Sequence, residues 1–173
     1  RWLMDWKAEA NTERRLVLAG CLPGRYPHDD SHGLQDVDLI LGPEDWRGLA
    51  SWLSCSTEGD ALVHGSGVNR FLKIAEGCSN GCAYCTIPSI RGGFKPADPR
   101  AILREAGLLV SQGAAEIGIV AQDTGSWRYW DMDIPVLLEK LASKWPNVWF
   151  RLYYLHPGHF PPGFPGLYGT MTT

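Results

Sequence analysis

The sequence predicts an α/β chain built on parallel strands, and three observations carry that reading. Short apolar runs rich in Val, Ile and Leu recur along the chain, each closed by Gly, Pro or a polar cluster. Between them lie stretches whose apolar residues fall three and four apart behind capping residues. Strand and helix therefore alternate; strands joined by a helical crossover pair in parallel, and ligands then gather at their carboxyl ends.

The run Arg15–Gly20 reads as a buried strand leading into Cys21. Val37–Leu41 is a second short strand stopped by Gly42-Pro43, and Pro43 suits a place near the start of a helix through Glu44, Trp46, Leu49 and Leu53. From Cys55 to about Asn69 the residues are small, polar and glycine-bearing, as in a linker. The chain thus divides into a partial α/β domain over 1–54, a linker over 55–69 and a second partial domain over 70–173. In the latter, Phe71–Ala75 is a strand that feeds directly into a cysteine loop. Asp98 and Pro99 supply an N-cap and a first-turn proline for a helix whose Ile102, Ala106, Leu109 and Val110 share one face, and Gly113 closes it. Glu116–Ala121 follows as a strand, Ile134–Leu141 as a helix and Val148–Tyr154 as a strand. There is no internal repeat.

Composition bounds function without deciding it. With 173 residues and 45% hydrophobic content the chain can bury a core, but it is too short for a complete eight-fold barrel. A net charge of −3 gives no electrostatic footprint for tight nucleic-acid binding. No apolar run approaches membrane-spanning length and no leader opens the chain, so a reducing, cytoplasmic setting without membrane contact is expected.

The chemistry is concentrated in Cys78-Ser79-Asn80-Gly81-Cys82-Ala83-Tyr84-Cys85, a C-x3-C-x2-C pattern with an aromatic before the last thiol. Thiolates suit zinc or an iron–sulfur cluster. A structural zinc would need a fourth ligand from His64, Cys55 or Cys21. A ferredoxin-type carrier would need a fourth cysteine at family spacing, and none follows Cys85. A disulfide framework is disfavoured by the odd count of five. Three local thiols leave one iron of a four-iron cluster open, the arrangement that the radical S-adenosylmethionine enzymes use and that this spacing resembles.

The likeness extends beyond the loop. Lys73-Ile74-Ala75-Glu76-Gly77-Cys78, Ile87-Pro88-Ser89-Ile90-Arg91-Gly92, Val120-Ala121-Gln122-Asp123-Thr124 and Arg151-Leu152-Tyr153-Tyr154-Leu155-His156-Pro157 together resemble the radical S-adenosylmethionine methylthiotransferases. Within that family they are most similar to the subgroup that methylthiolates the β-carbon of an aspartate in a small-subunit ribosomal protein. Gly20-Cys21-Leu22 and Leu41-Gly42-Pro43 resemble the second half of the family's amino-terminal domain. The resemblance implies the end of an α/β methylthiotransferase domain followed by the first half of a radical S-adenosylmethionine partial (β/α) barrel.

By the same resemblance, Cys78, Cys82 and Cys85 would hold a four-iron, four-sulfur cluster, with Tyr84 against the adenine of S-adenosylmethionine and Gln122 on its methionyl amino group. Cys21 matches the third of three cysteines that hold an auxiliary four-iron, four-sulfur cluster; its two partners are absent from this sequence, which therefore reads as an interior fragment, inactive alone, that stops after the Pro/Gly-rich stretch from Pro157 to Gly169. One S-adenosylmethionine would be cleaved to generate the radical that takes hydrogen from the substrate carbon, and another would donate methyl to sulfur at the auxiliary cluster. An electron donor such as flavodoxin or ferredoxin is implied as partner.

Other residues divide between chemistry and packing. Arg91 suits a substrate carboxylate or the cofactor, or equally an ordinary salt bridge. His156, at the end of a strand, suits a substrate contact or a structural hydrogen bond. Trp127, Tyr129 and Trp130 could cover substrate, but packing is their commoner use. Arg100, Arg104 and Glu105 read as a solvated helix face, and Cys55 as an incidental thiol. Two rivals stay open: a tRNA-directed methylthiotransferase acting on prenylated adenosine, and a non-enzymatic module that binds metal or an iron–sulfur cluster. The three thiols of the loop are expected to converge within a few ångströms at one end of a parallel sheet, and Cys21 to lie apart from them at the end of its strand.

Overall fold

The computed structural model describes residues 14–26, 37–43, 45–55 and 67–160. Glu44, linker residues 56–66 and the Pro/Gly-rich stretch beyond Phe160 lie outside them. The chain divides into two units, one of Arg1–Asp60 with Ser89–Arg91 and one of Ala61–Pro88 with Gly92–Thr173.

In the first unit β1 (Val17–Ala19) pairs in parallel with β2 (Leu39–Leu41), Val17 opposite Leu39 and Ala19 opposite Leu41. Asp38 pins the strand entry, its Oδ2 accepting from Leu16 N at 2.7 Å. Gly20, at φ 102°, then turns the chain into α1 (Cys21–Arg25). That left-handed turn is open to glycine at little cost and makes Cys21 the first residue of a short helix instead of the last of a strand. α2 (Trp46–Trp52) is capped by Asp45, whose side chain accepts from Gly48 N at 2.9 Å. Pro43 lies two residues before the cap, near the start of the helix as expected.

The second unit is built on a three-stranded parallel sheet in the order β3 (Asn69–Lys73), β6 (Glu116–Val120), β9 (Trp149–Leu152). α4 (Pro99–Ser111) connects the first pair and α5 (Ile134–Lys144) the second. Asp98 caps α4 through Arg100 N at 2.7 Å with Pro99 in its first turn, and Asp133 caps α5 through Val136 N at 3.3 Å. The strand alternation decides the core. Leu72, Ile117 and Ile119 face Ile102, Ala106 and Leu109 of α4 and Ile134, Leu137 and Leu141 of α5, all buried in one cluster. On the other face Phe71 and Tyr153 tilt together over Gly118, ring centroids 6.0 Å apart. A Cβ at Gly118 would lie 2.8 Å from the Tyr153 ring and 2.9 Å from that of Phe71, so glycine is the residue that lets these aromatics close.

Five further short elements are present. β4 (Ala75–Glu76) pairs antiparallel with β5 (Lys95–Pro96), α3 (Ile87–Arg91) lies between them in sequence, and β7 (Arg128–Tyr129) forms a hairpin with β8 (Met132–Asp133). None is signalled by periodicity, since two-residue ladders carry no repeat to read. Among the described residues no helix is long and apolar enough to cross a membrane.

Candidate functional site

The cysteine loop is set at the carboxyl end of the sheet by a closed base. β3 ends at Lys73, Ile74 N bonds to Val120 O of β6 at 3.0 Å, and Ala97 N bonds to Ile74 O at 2.9 Å. Glu76, nearly fully buried, is held by Lys73 Nζ at 2.7 Å and accepts from Gly77 N at 3.2 Å. Gly77 then turns at φ 71° against the returning chain: a Cβ there would fall on Gly93 O and lie 2.6 Å from Gly92 O. Cys78 N donates to Gly92 O at 3.2 Å and Phe94 N to Ser79 Oγ at 3.0 Å, so the start of the excursion is tied to the backbone on which it returns.

Each sulfur of the loop answers to its own neighbour. Cys78 is buried and its Sγ accepts from Asn80 N at 3.5 Å; Cys85 Sγ accepts from Ile87 N at 3.5 Å. Cys82 Sγ lies 3.9 Å from His156 Nε2. His156 Nδ1 accepts from Gly158 N at 3.1 Å, which leaves Nε2 as the nitrogen facing the sulfur. Among the described residues no three His, Cys, Asp or Glu side chains are gathered as a metal-holding set. The expected convergence of the three thiols into such a set is not met among the described residues. The donor type fits an iron–sulfur cluster nonetheless: three thiols on one short loop, two of them accepting backbone N–H bonds.

Opposite the loop stands a residue that sequence reasoning passed over. Asp123, three residues past β6, is 1% exposed, and its Oδ2 accepts from Asn80 Nδ2 at 2.9 Å and Ser126 Oγ at 2.7 Å and lies 2.5 Å from His159 Nδ1. Its Oδ1 accepts from His156 N at 3.4 Å. Burial pushes the carboxyl pKa up, but hydrogen bonds from Ser126, His159, Asn80 and the His156 backbone outweigh it and bring the group down to about 2. Thr124 adds bonds to the end of β9, its Oγ1 donating to Tyr153 O at 2.7 Å and its N to Tyr154 O at 3.1 Å. The signal that could have found Asp123 is an acidic residue closely following an apolar strand, a pattern too common to single out by itself.

The remaining candidates are placed as follows. Gln122 neighbours the hub, its Oε1 buried with no hydrogen-bond partner among the described residues. Tyr84 is 90% exposed. Trp127 is a core residue, Tyr129 Oη donates to Asp98 at 3.3 Å, and Trp130 is 92% exposed at a turn with φ 55°. Cys21 and Cys55 are exposed free thiols. Within the first unit Arg91, at the end of α3, donates to Cys21 Sγ from Nε at 3.2 Å and from Nη2 at 3.0 Å. Glu105 is half-buried with its pKa raised by burial against the opposing pull of Lys73, so it is not simply part of a solvated face.

Comparison with known proteins shows what the chain is similar to. No family model matches the chain. It is 34% identical over 90% of its length to the ribosomal protein uS12 methylthiotransferase RimO of Trichlorobacter lovleyi. It is 36% identical over 92% of its length to the protein of the same name from Syntrophobacter fumaroxidans, and 34% identical over 87% to that of Geobacter sulfurreducens. The chain is thus similar to methylthiotransferases of this name along about nine tenths of its length. It spans about two fifths of the length of the RimO relatives it matches, 39% for the first and 40% for the second.

Proposed function

We propose that this chain is part of an enzyme that transfers a methylthio group to the β-carbon of an aspartate in ribosomal protein uS12 by radical S-adenosylmethionine chemistry. The single observation that carries the proposal is a RimO likeness along nine tenths of the chain that includes a loop presenting three thiols at the end of a parallel sheet. Cys78, Cys82 and Cys85 would hold the four-iron, four-sulfur cluster, whose chemistry when bound is the electron transfer that cleaves S-adenosylmethionine.

The chain's own residues bind, orient and exclude. The Asn80 and Ile87 amides donate to two of the sulfurs and orient them. Gln122 Oε1, buried and unpartnered among the described residues, accepts from the cofactor's amino group. Tyr84, held out in solvent, covers the adenine. Cys21 contributes to the auxiliary cluster, and Arg91, with two N–H groups on its sulfur, holds that sulfur in place in preference to meeting a substrate carboxylate. Residues 1–54 are the tail of the family's amino-terminal domain and 70–173 the first half of a partial barrel. The whole enzyme works in the cytoplasm with a flavodoxin- or ferredoxin-class reductant.

The test uses the full-length protein, reconstituted anaerobically with reductant and S-adenosylmethionine. A uS12 peptide is expected to gain a methylthio group on one aspartate with loss of a β-hydrogen, and alanine at Cys78, Cys82 or Cys85 to abolish 5′-deoxyadenosine formation. Modification of prenylated tRNA with none of the peptide would overturn the substrate, and undiminished cofactor cleavage in a cysteine variant would overturn the ligand assignment.

A further inference from the structure

We propose that Asp123 is the positioning residue that docks the cysteine loop against the sheet, and that Asn80 is the loop's side of the latch. The inference deepens the proposed function and rests on it for the meaning of the loop. A carboxylate at 1% exposure is costly unless every lone pair is used, and here four donors converge on it. They come from three separate segments: Asn80 from between Cys78 and Cys82, Ser126 from the turn after β6, and His156 and His159 from the segment after β9. Asn80 is the member that carries the cysteine loop; the others fix the carboxylate in place before it is reached.

The geometry explains why a side chain in the middle of the thiol motif is an amide. Position 80 must donate to a buried anion, and Asn80 Nδ2 does so at 2.9 Å. Aspartate there would bring two carboxylates together, and alanine would leave Oδ2 one donor short. The same hub holds His156 N at 3.4 Å and so sets the ring that faces Cys82. Loosening the hub thus frees the central cysteine on both sides, through Asn80 and through His156.

A double-mutant cycle reads the latch directly. In the metal-free full-length protein, Asn80→Ala should speed amide hydrogen exchange at Cys78, Asn80 and Cys85 by about tenfold, the loss of one hydrogen bond to a charged group, with the amides of α4 and α5 unchanged. Asp123→Ala should do at least the same, and the double variant should exchange no faster than the faster single variant, because the one bond that Asn80→Ala removes is already lost with Asp123. In the cluster-loaded protein a chelator should strip iron several-fold faster from each variant. Because Asn80 is only half-buried on a loop, its variant keeps the fold even if Asp123→Ala does not. Unchanged loop exchange in Asn80→Ala, or effects that add in the double variant, would overturn the latch. A wild-type protein that takes up no iron would sink the functional reading instead, and the exchange data would still judge the latch.

Discussion

At the scale of single residues, the site is governed by groups whose neighbours leave them one usable state. Asp123 is the sharpest case. A carboxylate whose folded pKa is depressed from 3.8 to about 2 contributes stability that is fully present above the unfolded value and lost as the pH falls through the folded one. The contribution is about 2 kcal/mol. Unfolding free energies of the wild type and Asp123→Asn, followed from about pH 5 to about pH 2 across that titration, should therefore converge toward acid by that amount; a gap independent of pH would show that the carboxylate is not depressed. Gly77 is constrained by space instead of charge. Its φ of 71° and the Gly92 and Gly93 carbonyls beside its Cα exclude a side chain. Gly77→Ala is expected to cost about 1–3 kcal/mol and to lower iron uptake by the neighbouring loop, seen in thermal melts and in metal analysis. Alanine at Gly113, with φ 89° but nothing within 4 Å of a Cβ, serves as the comparison that isolates backbone strain from collision.

At the scale of elements, helix ends and strand ends do most of the positioning. α4 starts where Asp98 meets Arg100 N, and Asp98 also receives the Tyr129 hydroxyl from the β7–β8 hairpin. Asp98→Ala should cost about 1 kcal/mol, and Asp98→Ser much less, since serine restores the cap; chemical denaturation of the two variants separates them. The thiol motif, the Asp98-Pro99 start and the Gly113 stop are local features and are legible from residue type and spacing. The β4–β5 ladder that closes the base of the loop is not. It pairs Ala75 with Pro96 and Glu76 with Lys95 across the whole excursion, and a two-residue pairing leaves no periodic trace. Cys21 makes the same point in the first unit, where one left-handed glycine converts an expected strand end into a helix start.

At the scale of the whole chain, the second unit depends on one cluster in which β3, β6 and β9 meet α4 and α5. Trp127 tests how that cluster tolerates polarity. Its ring is fully buried while Nε1 has no hydrogen-bond partner among the described residues. Trp127→Phe should therefore be far milder than Trp127→Ala, which opens a cavity worth about 3–5 kcal/mol; equal losses in the two variants would mean that the indole N–H is satisfied after all. What the sequence determined by itself is the set of properties that depend on near neighbours: alternating strands and helices, the capped helix α4, and three thiols with the spacing of a metal loop. Hydrophobic periodicity, capping and ligand spacing all act within a turn or two of chain, so residue order carries them. Tertiary structure alone decided which groups answer the thiols. Asn80 meets Asp123 across 43 positions, His159 meets it across 36, and His156 reaches Cys82 across 74. Such pairings exist only once parallel strands bring their carboxyl ends to one edge, because a buried carboxylate takes its donors from whatever the fold places within about 3 Å, whatever their distance along the chain.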